Sequence, residues 1–162
     1  RGSLSFTSAK EMYERVEQAM HCSPQWSSKT IVMEEAPDEP QILFYCNIHE
    51  CVAQLFGNLT FQDSMWYEAV EVFEPDGVTR VYNEMVTGLL WNKVQVGFDT
   101  LPRGVTLAGA VLVTDKTHLS NFSGNKVMYA AYLTLGNIVS DIWQKINHHA
   151  YVILAYFPVS KF

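Results

Sequence analysis

The stretch Leu107-Ala-Gly-Ala-Val-Leu-Val-Thr114, followed by Asp115-Lys116-Thr117, sets the reading of the fold. From Val105 to Thr114 nearly every residue is apolar or small and the run is β-rich, which is the composition of a buried strand. It stops at a charged pair. Asp115 therefore reads as a carboxylate at the exposed end of a buried strand, rigidly held yet accessible, as a metal ligand or a nucleophile must be. The plainer alternative is that Asp115 caps the following turn through its side chain.

Downstream, Ala131 to Leu135 and Ala150 to Phe157 are two further runs of strand character, with turn signals at Ser123-Gly124-Asn125 and Gly136-Asn137. Three strands so close in sequence predict an antiparallel meander. Upstream, the pattern is mixed. Ser8 and Glu11 have the spacing of a capping box before Met12, Tyr13, Val16, Ala19 and Met20 at helical spacing, so a helix to about Met20 is expected. Thr30 to Met33 and Ile42 to Tyr45 are short strand-like runs on either side of a Pro37 to Pro40 loop. Asn47 with Glu50 repeats the capping pattern and opens a helix carrying Val52, Leu55 and Phe56, stopped by Gly57. Trp66 to Phe73 and Val78 to Tyr82 flank Pro75-Asp76-Gly77 as a hairpin would. Met85 to Val96 has helical spacing and ends at Leu101-Pro102-Arg103-Gly104. The fold class is α+β: a mixed portion over residues 1–100, then a sheet over 101–162, with a soft boundary near Leu101.

Bulk properties narrow the function. The chain has 162 residues, 48% hydrophobic and 17% charged, which suits one domain with a real core. A net charge of −6 argues against a module that grips DNA by charge alone, while carboxylates are what divalent-metal sites need. Cys22, Cys46 and Cys51 are an odd set without a Cys-x-x-Cys, so a disulfide scaffold is not expected and the setting is reducing and intracellular. No apolar run reaches membrane-spanning length. The opening residues lack a signal-peptide core and an initiator Met, which reads as a piece of a longer protein. The sequons at Asn58 and Asn121 are short enough to arise by chance.

Other chemistries fit less well. Cys46, His49 and Cys51, with His21 and Cys22 upstream, offer soft ligands, but their spacing matches no common zinc motif. The pair His148-His149 reads as a solvated loop. Asp115-Lys116-Thr117 shares three residues with the phosphorylated aspartate of P-type ATPases, yet His118-Leu119 replaces the Gly-Thr that continues that pattern. Gly124-Asn125-Lys126 lacks the rest of a phosphate loop, and no nucleophile elbow exists. Trp26, Trp66, Trp91 and Trp143 read as core or interface anchors rather than base-stacking platforms, because no basic residues interleave them.

Taken together, Phe6-Thr-Ser-Ala-Lys-Glu-Met-Tyr13, Glu50-Cys-Val, Leu55-Phe-Gly-Asn58, Arg80-Val-Tyr-Asn-Glu-Met85, Thr87-Gly88, Leu101-Pro-Arg-Gly-Val-Thr106, Thr114-Asp-Lys-Thr117, Ser123-Gly-Asn125, Tyr132-Leu-Thr-Leu-Gly-Asn-Ile138 and Phe157-Pro-Val-Ser-Lys161 carry a resemblance over nearly the whole chain. The chain resembles the Plavaka-type transposases of fungal genomes, within the Kyakuja, Dileera and Zisupton group, which is similar to CACTA-type elements. The resemblance implies a DDE/D DNA transposase with a ribonuclease H-like core, whose first catalytic acid and metal ligand falls on Asp115. The three strands from Val105, Ala131 and Ala150 become the opening meander of that core. It also implies phosphodiester hydrolysis and strand transfer with Mg²⁺ or Mn²⁺ held by three carboxylates, transposon-end DNA as partner, a nuclear location, and room for an oligomer. Met128-Tyr129-Ala130-Ala131 stands where relatives commonly carry a Trp-Pro pair. The second and third acids are expected beyond Phe162, in the remaining part of the same transposase, which makes the fragment inert alone. None of Asp63, Asp76, Asp99 or Asp141 matches a catalytic position of the family. A different class of function, a non-catalytic protein-interaction module derived from such an element, stays open.

Overall fold

The computed structural model describes residues 8–19, 23–34, 36–97, 104–120 and 126–159. Helix α1 (Ala9–Ala19) starts as the capping box predicts, with the Ser8 hydroxyl accepting from the Glu11 N–H at 3.2 Å. Strands β1 (Trp26–Met33) and β2 (Ala36–Cys46) then form an antiparallel hairpin, in register from Trp26↔Cys46 to Ile31↔Gln41 and then, after an irregularity, pairing Met33 with Ala36. The expected Pro37 to Pro40 loop is thus part of a strand. Two prolines are tolerated there because residues 37–40 fall in the irregularity between the pairs Ile31↔Gln41 and Met33↔Ala36, without a ladder partner on either side, so their missing N–H groups fall where no ladder is required.

Helix α2 (Ile48–Phe56) is capped as expected, Asn47 Oδ1 accepting from the His49 N–H at 2.9 Å and the Gly57 N–H returning to Ala53 O at 2.8 Å. The hairpin after it shrinks to two residues a side, β3 (Val72–Phe73) and β4 (Arg80–Val81). Its turn is held by the Asp76 carboxylate, which accepts from the Val78 N–H, the Thr79 N–H and the Thr79 hydroxyl at 2.9, 2.9 and 2.6 Å. Those bonds favour the charged form and hold the Asp76 pKa below its ordinary value, the Thr79 hydroxyl contributing most. The Met85 to Val96 segment splits at Gly88 into a 3-10 turn (Met85–Thr87) and helix α3 (Leu89–Gly97).

The last third is the predicted meander, shifted along the chain. Strand β5 (Ala110–Ser120) pairs antiparallel with β6 (Lys126–Leu135), which pairs antiparallel with β7 (Val152–Phe157). Between β6 and β7 lies the short helix α4 (Ser140–Trp143). Val105 to Gly109 stays outside the ladder because its polar groups are taken by the buried Asn137 side chain. The amide donates to Leu107 O at 2.9 Å and to Trp66 O at 2.8 Å, and Oδ1 accepts from the Gly109 N–H at 3.0 Å. The Trp91 ring also lies against Gly109 and Gly136, where no side chain would fit.

All five long strands form one sheet in the order β1-β2-β7-β6-β5. The residues on either side of position 101 therefore share it, joined where Phe44 and Tyr45 of β2 pair with Tyr156 and Ala155 of β7. Helix α2 lies against β6 and β7, and the core gathers there: Cys51, Leu55, Phe61 and Met65 pack with Leu133, Leu135 and Ile138. Alternation along β6 puts Leu133 and Leu135 on the helix-covered face and Ala130 on the other.

Candidate functional site

Asp115 does not end its strand. It lies at the middle of β5 because β6 continues far enough to pair without a break from Ala110 to His118, and Asp115 faces Ala130 directly. A residue in a continuing ladder cannot cap a turn, so that alternative falls away. Directly opposed residues share a face. The register Asp115↔Ala130↔Tyr156↔Phe44↔Ser28 therefore draws one row across all five strands, which at β6 lies on the face opposite Leu133 and Leu135.

Within that row the carboxylate is exposed, and its nearest polar partner is on its own strand. Thr117, two residues on and on the same face, donates from Oγ1 to Asp115 Oδ2 at 2.8 Å, and Oδ1 has no partner among the described residues. Ala130 opposite offers only a methyl group and is itself fully buried. Lys116 alternates to the other face and is no part of this arrangement. The donor chemistry, hard oxygen on a stiff strand, is that of a site for Mg²⁺ or Mn²⁺, but a single carboxylate does not fill the coordination of either ion. Among the described residues no group of three or more His, Cys, Asp and Glu side chains converges.

The soft-ligand reading dissolves into packing. Cys46 and Cys51 are both buried, their thiols interact with each other, and the Cys46 thiol also donates weakly to Pro24 O at 3.9 Å. Desolvation pushes the Cys51 pKa up to about 11 and raises that of Cys46, which keeps both as neutral thiols. His49 is exposed in the first turn of α2, and His149 sits exposed at φ 51° in the connection to β7. His21, Cys22, Gly124 and Asn125 lie outside the described residues.

Aromatic side chains lie further across the sheet from Asp115. The Trp26 and Tyr156 rings stack at 5.3 Å with an interplanar angle of 18°, and Trp26 is still 49% exposed, as is Phe44 at 46%. Reading the four tryptophans as core or interface anchors holds for Trp91, which is buried, and not for Trp26 as a core residue. No local signal marks the Trp26, Phe44 and Asp115 grouping, because it depends on pairings across more than 100 residues of sequence.

Fold and site together define an α+β protein with an exposed acidic position on the edge strand of its sheet. The family profile described as Plavaka transposase matches residues 6–162, and the chain belongs to that family. No curated protein and no solved structure matches the chain. Membership implies DNA as the partner, and among the described residues no helix is long and apolar enough to cross a membrane.

Proposed function

We propose that this chain is part of the catalytic region of a DDE/D DNA transposase, with Asp115 as the first catalytic acid and a metal ligand. The observation that carries the reading is an exposed carboxylate, one oxygen held by Thr117 and the other without a partner among the described residues, on the edge strand of the sheet of a Plavaka family member. In the complete protein Mg²⁺ or Mn²⁺, bound by Asp115 and two further carboxylates from outside these residues, supplies activation of the attacking oxygen and stabilisation of the leaving one. The chain's own residues do simpler work. The β5–β6 ladder fixes the Asp115 backbone, and Thr117 orients its carboxyl group. With one acid of three, the isolated chain is inert.

The test is Asp115→Asn in the complete transposase. The amide keeps volume and hydrogen bonding but lacks the charge, so cleavage of transposon-end DNA falls by orders of magnitude while folding and DNA affinity persist. Cleavage at the parental rate would remove the catalytic assignment and leave the protein-interaction module as the better account.

A further inference from the structure

On β6 the neighbours of Asp115 are Ala130, directly opposed, and Met128 and Tyr132 on the two diagonals of the same face. Diagonal positions of an antiparallel pair lie roughly 7 Å apart, within reach of an aromatic side chain. Tyr132 pairs with Val113 on one side and Ile153 on the other, so its half-buried ring has apolar neighbours across both ladders. Its hydroxyl has no hydrogen-bond partner among the described residues and stays in contact with solvent. The ladder beside it is irregular: between Ala131↔Ala155 and Tyr132↔Ile153, β7 carries one extra residue, Leu154, a bulge of the kind that re-aims a side chain next to a functional position. Side-chain donors are scarce here. Of the residues from 111 to 117 on β5 and from 128 to 134 on β6 that share the face of Asp115, three carry one. The Thr117 hydroxyl is engaged by Asp115 Oδ2 at 2.8 Å, Thr134 is 4% exposed, and Tyr132 alone is both unengaged and open to solvent.

We infer that Tyr132 contacts the substrate: its phenol O–H donates to a non-bridging oxygen of the phosphate that Asp115 addresses. The inference rests on the assignment of Asp115 for the place of that phosphate, and on the strand register for the reach of the phenol. A phosphodiester beside a carboxylate presents two anionic oxygens, and a donor aimed at either one offsets the repulsion. A neutral donor suits this position. A Lys or Arg on the same diagonal would pair with Asp115 and compete with a metal ion for it, whereas a phenol adds no charge and leaves the carboxylate to the cation. The phenol also turns on few bonds, so little freedom is lost when its hydroxyl engages.

The experiment is Tyr132→Phe in the complete transposase, which keeps the ring and removes only the hydroxyl. Cleavage of transposon-end DNA is measured with oxygen, and then with sulfur, at each non-bridging position of the scissile phosphate. With ordinary DNA the cleavage rate is expected to fall about tenfold at unchanged DNA affinity. Sulfur accepts hydrogen bonds poorly, so in the parent one of the two sulfur diastereomers carries the penalty of losing the phenol. In Tyr132→Phe that penalty is already taken, and the oxygen-to-sulfur rate ratio shrinks by a similar factor for that diastereomer and not for the other. This chain carrying Tyr132→Phe is expected to melt at the parental temperature. A parental rate in Tyr132→Phe, or sulfur ratios identical in the two proteins, would overturn the contact. So would a slower rate that comes with a lower melting temperature, since the hydroxyl would then serve the fold. Failure here is separable from failure of the Asp115 assignment: a parental rate in Tyr132→Phe beside an inactive Asp115→Asn removes Tyr132 alone. Cleavage at the parental rate in Asp115→Asn removes Asp115 as the acid, and the sulfur ratios still decide whether Tyr132 touches the phosphate.

Discussion

Phe44 of β2 lies directly across from Tyr156 of β7, and this pairing ties the hairpin before helix α2 to the meander that ends the chain. The same two portions share one core, in which Leu55 and Phe61 cover Leu133 and Leu135. Exposing a Leu or Phe side chain that the fold buries costs about 1.5–3 kcal/mol each. The whole chain is therefore expected to melt in a single transition by circular dichroism, and residues 101–162 alone are expected to show no cooperative melt. Two transitions, or a cooperative melt of the shorter piece, would mean that a boundary near Leu101 separates independent units.

Asn137 is 1% exposed and makes three hydrogen bonds that fasten Trp66, Leu107 and Gly109 to the β6–α4 turn. Asn137→Ala strands two carbonyls and an N–H in the interior, at about 1–3 kcal/mol apiece before relaxation. We expect a loss of about 3 kcal/mol in urea unfolding. A loss below about 1 kcal/mol would mean that water replaces the side chain.

A methyl group at position 109 would overlap the ring carbons of Trp91, itself buried and unable to swing away. Gly109→Ala should therefore destabilise by about 2 kcal/mol, in the range for overpacked cores. Trp91→Leu on the Gly109→Ala background should recover part of what Gly109→Ala loses, so the two changes are non-additive. Strict additivity in denaturation would show that the clash is not the cause.

The helices were legible because their signals are local. Ser8 with Glu11 and Asn47 with Glu50 are capping patterns within four residues, and the structure realises the Ser8 and Asn47 side-chain caps, while the Glu50 carboxylate accepts from the Gln25 N–H instead. The meander was legible as three β-rich runs, but its registers were not. Val105 to Gly109 reads as strand by composition and is held out of the ladder by Asn137, some thirty residues away. Asp115 reads as a strand end because charge replaces apolar residues there, although at an exposed position on an edge strand a charge interrupts nothing. The contribution of β1 and β2 to the same sheet rests on two residue pairs, Phe44↔Tyr156 and Tyr45↔Ala155, which no periodicity announces.

Burial raises the Cys51 pKa from about 9 to about 11, chiefly through desolvation, with Cys46 and Glu50 adding to it. A thiol whose folded pKa lies above its unfolded value stabilises the fold below the unfolded pKa and loses that contribution as pH rises toward the folded one. Stability should therefore fall between pH 9 and pH 11, by on the order of 2 kcal/mol. Chemical denaturation across that range measures the slope, and Cys51→Ala, although less stable throughout, should flatten it. An unchanged slope would place the pH dependence elsewhere.

The Thr117 hydroxyl bonds Asp115 Oδ2 from the same strand face, and its effect on the proposed site can be isolated. Thr117→Val keeps the β-branched shape that suits a strand and removes only the donor. Both side chains are near solvent, so the bond is worth about 1 kcal/mol, and its loss lets the carboxyl group rotate. In the complete transposase the Mg²⁺ concentration for half-maximal cleavage is expected to rise about fivefold, with the maximal rate little changed. Thr117→Ser restores the donor and should restore the parental value. In this chain, side-chain coupling constants should report a broader spread of Asp115 rotamers in Thr117→Val than in the parent or in Thr117→Ser. A parental metal dependence in Thr117→Val, in a protein that Asp115→Asn inactivates, would show that Asp115 needs no orienting partner and that the strand alone holds it.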